Sequence, residues 1–175
     1  MKVIKNYLYN VGYQVLAIIV PLITSAYVSR VLRPEGVGAN SFTNSIMQYF
    51  ILFANMGIGY YGNRQIAYVR ENKDQMSKTF WEIQIVKTIM TLYAFVAFEI
   101  FMIFYTRQPE YMWAQSLNLI AIAFDISWFY EGIEDFKVTV LKNSLVKVLS
   151  MIAIFIFIKG PGDVTLYIVV LALST

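Results

Sequence analysis

Polar and apolar positions fall in long blocks along this chain, not in the short periods of a soluble domain. Six apolar blocks stand out, at roughly 10–32, 40–61, 81–105, 112–132, 144–158 and 164–175. The first four each approach or exceed the about 20 residues that an α-helix needs to cross a bilayer. The pattern predicts an all-α fold, a polytopic transmembrane helix bundle. Charged or turn-forming segments separate the blocks at Arg33–Ala39, Gly62–Lys78, Thr106–Tyr111, Glu131–Asn143 and Lys159–Asp163. The fifth block reaches spanning length if Lys147 snorkels from its first turn. The sixth is too short to span and ends without a charge or a cap. The chain therefore reads as the N-terminal part of a longer protein, cut within a sixth helix.

The polar residues inside the blocks are periodic. In the first span Asn10, Gln14, Pro21 and Ser25 share one helical face. Pro21 removes a backbone donor and predicts a kink. The carbonyl it frees needs a partner in lipid, so the kink is expected to face protein or a wet cavity. In the second span Ser41, Asn44, Gln48, Asn55 and Gly59 lie on one side. Two such stripes could line one cavity, with Gln14, Ser25, Asn44, Gln48 and Asn55 as contacts for a polar substrate. Ordinary hydrogen bonding between membrane helices gives the same pattern. Pro34, Gly36 and Gly38 mark Arg33–Ala39 as a tight turn. The segment Gly62–Lys78 reads as an amphipathic interfacial helix and a loop.

Composition agrees with the blocks. Hydrophobic residues make up 58% and charged residues 14%, against about 45–50% and about 25% in soluble domains. Mean hydropathy is +0.58. Cysteine and histidine are both absent, which removes thiolate chemistry, disulfides and the commonest general base and metal ligand. No Walker motif and no glycine-rich phosphate loop is present. No cofactor, no metal and no enzymatic activity is expected. Net charge is only +3, so position matters more than sum. With the N-terminus in the cytoplasm, ten of the basic residues fall inside and four outside: Arg30, Arg33, Arg107 and Lys159. The positive-inside rule then predicts a cytoplasmic N-terminus.

Charges within spans are candidate sites because they are costly there. Asp125 lies well inside the fourth span, on the same face as Asn118. It reads as a cation or proton site, or as half of an ion pair with a neighbouring helix. Arg30, at the outer end of the first span, has a guanidinium fork suited to phosphate oxygens or to lipid headgroups. Arg64, at the inner end of the second, reads as a gate residue or a positive-inside anchor. Glu99, Lys87 and Glu131 are expected at the interfaces.

Three segments carry a family resemblance. Pro21–Arg70 (PLITSAYVSRVLRPEGVGANSFTNSIMQYFILFANMGIGYYGNRQIAYVR), Lys78–Ile83 (KTFWEI) and Trp128–Asn143 (WFYEGIEDFKVTVLKN) resemble the Wzx-type polysaccharide flippases. These belong to the multidrug/oligosaccharidyl-lipid/polysaccharide exporter superfamily. Arg30 matches the arginine after the first span, whereas Arg33 stands where the family often has glycine and Ser25-Ala26 where it often has Thr-Pro. The resemblance implies the N-terminal bundle of a MATE-like transporter fold in a bacterial cytoplasmic membrane. It implies an undecaprenyl-diphosphate-linked oligosaccharide as substrate, flipped by alternating access, with membrane lipids and the polysaccharide polymerase machinery as partners and no nucleic acid. Three rival readings stay open: a cation-coupled multidrug exporter of the same superfamily, a membrane-embedded transferase, and a non-transporting interaction fragment.

Overall fold

The computed structural model describes residues 2–105 and 107–174, with backbone only for residues 2–10 and 136. The described residues form eight helices and no strand: α1 Lys2–Val31, α2 Arg33–Asn55, α3 Ile58–Val69, α4 Lys73–Phe104, α5 Pro109–Phe124, α6 Ser127–Gly132, α7 Phe136–Phe157 and α8 Val164–Leu173. The fold is an all-α bundle.

Two of the expected spans are not single helices. The second divides at Met56–Gly57 into α2 and α3, and the fourth divides at Asp125–Ile126 into α5 and α6. Each break has a local cause. Met56 and Gly57 both take left-handed backbone angles, with φ of 34° and 77°, and glycine reaches that region without steric cost. Asp125 accepts hydrogen bonds on Oδ1 from the Ser127 N–H (3.1 Å) and the Ser127 hydroxyl (2.5 Å). A short side chain that bonds its own following backbone competes with helix continuation.

Other boundaries shift outward. The expected turn at Arg33–Ala39 is the first two turns of α2, bent away from α1 at Leu32. Pro34 sits in that first turn, where its missing N–H costs nothing. Helix α1 runs unbroken across Pro21, and Pro21 lies exposed rather than against protein. Helix α4 starts two turns before the expected third span because Asn72 caps it, accepting from the N–H groups of Asp74 and Gln75 at 3.1 Å each. Helix α7 takes in most of the charged segment expected as a connection. Among the described residues, three helical stretches are long and apolar enough to cross a membrane: Val11–Val31, Lys73–Phe104 and Lys137–Phe157. Helix α2 has the length, but its Asn, Ser, Thr and Gln residues make it more polar.

Packing divides the bundle into three cores. Val28 and Leu32 of α1 meet Ile154 and Ile158 of α7 and Val164 and Ile168 of α8. Met47 and Ala54 of α2 meet Phe98 of α4 and Met112 and Leu119 of α5, and Phe98 stands edge-on to both Phe50 and Trp113 at 5.6 Å. The third core is separate: Ile66 of α3, Ile83 of α4 and Trp128 of α6, with Phe80 stacked on Trp128 at 5.5 Å. Helices α3 and α6 approach closely through Gly132, where an added Cβ would stand 2.8 Å from both the Asn63 carbonyl oxygen and Ile66 Cβ. The Arg70–Glu134 ion pair (2.6 Å) ties their far ends.

Gly132→Ala should therefore push α3 and α6 apart and lower the melting temperature of the full-length protein in detergent, since the first obstacle is backbone. An unchanged melting curve would show that the two helices are not in contact there. At the other end of the bundle, Asp163 accepts from the Lys159 and Gly160 N–H groups at 2.8 Å each. Those bonds hold its carboxyl below the ordinary carboxylate range. The stabilisation is present above that ordinary range and is lost as pH falls through the depressed value. Asp163→Ala should abolish this acid-sensitive component of the melting curve.

Candidate functional site

The helix break at Asp125 frees carbonyl groups that would otherwise bond along the helix, and α4 supplies the missing donors. Gln84 Nε2 donates to the Ala123 carbonyl at 2.8 Å, and Lys87 Nζ donates to the Asp125 carbonyl at 2.5 Å. These residues are three apart, on one face of α4. Lys87 is 2% exposed. The interfacial position expected for Lys87 is thus corrected: its ammonium is held inside the bundle. A cation at the C-terminal end of α5 also suits the helix dipole.

Two cavities of about 520 Å³ each meet at Asp125 and Ser127. The first lies between α2, α5 and α7. Its wall carries Asn40, Asn44 and Gln48 from α2, Gln115 and Asn118 from α5, and Asn143 and Lys147 from α7; Tyr13 of α1 also contributes. The amides are wired together. Gln115, 2% exposed, donates through Nε2 to Asn40 Oδ1 (3.2 Å) and Thr43 Oγ1 (3.3 Å). Asn118 Nδ2 donates to Gln115 Oε1 at 2.9 Å, and Gln48 Nε2 to Asn44 Oδ1 at 3.3 Å. An amide has two donor hydrogens and an acceptor oxygen. One engaged side fixes its orientation and leaves the rest for a ligand.

The charges nearby are mostly positive. Lys142 Nζ lies 3.9 Å from Asp125 Oδ1, so the ion-pair reading of Asp125 has its partner. Lys147 Nζ sits 6.0 Å from the Tyr13 ring centroid, and Lys87 lines the second cavity. Lys147 lies midway along α7, not in its first turn as expected. Three lysines and two carboxylates, Asp125 and Glu131, stand around the two cavities.

Of the candidate residues, Asn44, Gln48 and Asp125 come together in the first cavity, and Asn55 lines the second beside Asp125. Gln14, Ser25, Arg30 and Arg64 are exposed and line neither cavity. Ser25 Oγ donates to the Leu22 carbonyl at 3.1 Å. Arg64 Nε donates to the Tyr68 hydroxyl at 3.3 Å. The wall that α1 offers is Tyr13, not the Gln14–Ser25 stripe, and the side chain of Asn10 lies outside the described residues. Sequence reasoning missed Tyr13, Asn40, Gln115 and Asn143. The pairs Gln115/Asn118 and Asn143/Lys147, spaced by three and four residues, were the available signal.

A bundle with membrane-length apolar helices and an open-sided cavity lined by amides and a lysine defines a polytopic membrane protein. The family model described as "Polysaccharide biosynthesis protein" matches residues 3–175, and the chain belongs to that family. The chain is 25% identical over 165 residues to the "Putative O-antigen transporter" of Escherichia coli (strain K12), a match over 93% of this chain and 40% of the relative. It is 23% identical over 147 residues to the protein of the same name from Shigella dysenteriae, over 82% and 37% respectively. The chain thus spans about two fifths of the length of these curated relatives. No solved structure gave a significant match.

Gln115→Leu should remove the donor shared by Asn40 and Thr43 and the acceptor of Asn118. The expected loss is about 1–3 kcal/mol, the cost of orphaning buried polar groups, read as a lower melting temperature of the full-length protein. No change would mean that the amide chain is not formed.

Proposed function

We propose that the protein flips undecaprenyl-diphosphate-linked oligosaccharides from the cytoplasmic to the outer face of a bacterial cytoplasmic membrane, for surface polysaccharide biosynthesis. Transport, not catalysis, suits a family of polysaccharide biosynthesis proteins whose curated relatives carry transporter names. The observation that carries the reading is the first cavity: oriented amides beside lysines, inside a bundle of apolar helices. Amide groups match sugar hydroxyls, which both donate and accept. Lysine ammonium groups match a diphosphate as point charges. In this reading Asn44, Gln48, Asn118 and Asn143 contact the glycan, and Lys147 and Lys142 attract the diphosphate. Asp125, bound to Lys142, sets the balance between them. Asn55 belongs to the adjoining cavity. The N-terminus is cytoplasmic, by the distribution of basic residues. Alternating access supplies the path, because a diphosphate and several sugars cross apolar lipid only at prohibitive cost.

The test is complementation of a strain lacking the gene with full-length variants. Lys147→Ala should cut surface polysaccharide by about tenfold or more at equal protein level, since one charged contact is worth about 1.5–3 kcal/mol and tenfold is about 1.4, and Asn118→Ala should cut it by roughly twofold to tenfold, the size of one neutral hydrogen bond. Wild-type polysaccharide in both variants would overturn the assignment of this cavity.

A further inference from the structure

Helices α1 and α7 pack side by side, and both are long and apolar enough to cross a membrane. Along their seam lies a groove of about 350 Å³, separate from the two cavities at Asp125. Leu16, Val140 and Leu141 give it apolar walls, and Gly12 leaves it open on the α1 side. Gly12 has no reason to be glycine in the packing of the bundle. A Cβ added there would meet nothing within 4 Å, and its φ is not in the left-handed region. Glycine inside a helix is less stable than alanine, so what the missing side chain provides is room in the groove. At one end stands Lys137, in the first turn of α7. It is exposed and makes no ion pair or hydrogen bond among the described residues. The groove is thus apolar along its length and cationic at one end.

We infer that this groove binds one anionic glycerophospholipid of the surrounding bilayer, with an acyl chain laid between α1 and α7 and the phosphate on Lys137. The neighbours of a seam between two membrane-length helices are acyl chains. A further helix, about 10–12 Å across, can cover the groove but not fill it. Charge selects the class of lipid. A phosphodiester carries one negative charge and meets one ammonium, whereas a diphosphate calls for more cations than the groove offers. In the proposed orientation Lys137 faces the cytoplasmic leaflet, where anionic lipids attract basic residues. Tyr13 lines the groove and the first cavity alike. The lipid therefore packs behind the residue whose ring meets Lys147. The site needs only the membrane position of α1 and α7, whatever the bundle carries.

The experiment titrates full-length protein in detergent with phosphatidylglycerol, phosphatidylethanolamine and undecaprenyl phosphate, and counts bound lipid by native mass spectrometry. The first phosphatidylglycerol should bind about fivefold tighter than the first phosphatidylethanolamine, what one lysine near an anionic headgroup is worth. Lys137→Ala should erase that preference and Lys137→Arg should keep it. Gly12→Leu fills the groove and should weaken the first phosphatidylglycerol by about tenfold, the size of two buried methylenes. It should leave the melting temperature of the lipid-free protein unchanged or raised, since leucine is the better helix former. Because Lys137 is exposed, its two variants read the site even if Gly12→Leu fails to fold. Equal binding of the two phospholipids overturns the site, as does undiminished phosphatidylglycerol binding by a folded Gly12→Leu. Displacement of phosphatidylglycerol by an equal concentration of undecaprenyl phosphate assigns the groove to the carrier lipid and overturns it too. Absence of lipid binding by the wild type means that another segment of the full-length protein covers the groove, and equally overturns it.

Discussion

A backbone carbonyl that loses its helical donor within an apolar bundle must be given another, and the rest of this structure depends on how that is done at residues 123–125. The donors come from a different helix. Gln84 and Lys87 reach from α4 to the Ala123 and Asp125 carbonyls, while the Asp125 side chain turns the chain by bonding Ser127. With those bonds in place, α5 can stop in mid-bundle and α6 can start in a new direction. Trp128 can then settle against Phe80, and Gly132 against α3. Without them the segment has every reason to stay helical, since intrahelical bonding is the cheapest way to satisfy a backbone away from water.

The break also explains where the polar space lies. A continuous helix would carry Asp125 past its neighbours as one residue on a face. At a helix end its carboxylate is held by Ser127 and its carbonyl by Lys87, and the space on either side becomes the two cavities. The matching break at Met56–Gly57 turns α3 to meet α6, so that the two short helices and the first half of α4 share a core of their own. Helix α4 packs both in this unit and in the core that α2 and α5 share.

The electrostatics follow a simple inequality. Burying an ammonium is costly unless hydrogen bonds and opposite charge offset it. Lys87, the buried one, has a carbonyl and the end of a helix dipole, whereas Lys142 is about half exposed and has Asp125 at 3.9 Å. Lys147 has only the face of Tyr13 at the outer limit of a cation–π contact. Of these three lysines, the one with the weakest partner is thus the one on the wall of the amide-lined cavity. The sequence emphasised the arginines at the span ends instead, because hydropathy shows only how far a charge lies along a helix and not what it faces.

The apolar blocks alone fixed the all-α class, the presence of membrane-length helices and the Lys159–Asp163 turn. Length, hydropathy and turn chemistry are local quantities that act before any packing. Local pattern also put Asn44, Gln48, Asn55 and Asp125 on candidate faces, because periodicity survives wherever a helix is regular. It failed at the breaks. Met56-Gly57 and Asp125-Ile126 sit inside apolar runs with no proline, and the local signals there, Gly57 and the Asp125–Ser127 pair, do not by themselves end a span; Gln84 and Lys87, which sustain one of the breaks, are about 40 residues away. Which stripe meets which, with Tyr13 inside and Gln14 out, was decided by α1 packing along α7, a choice that depends on complementary surfaces brought together only in the folded bundle.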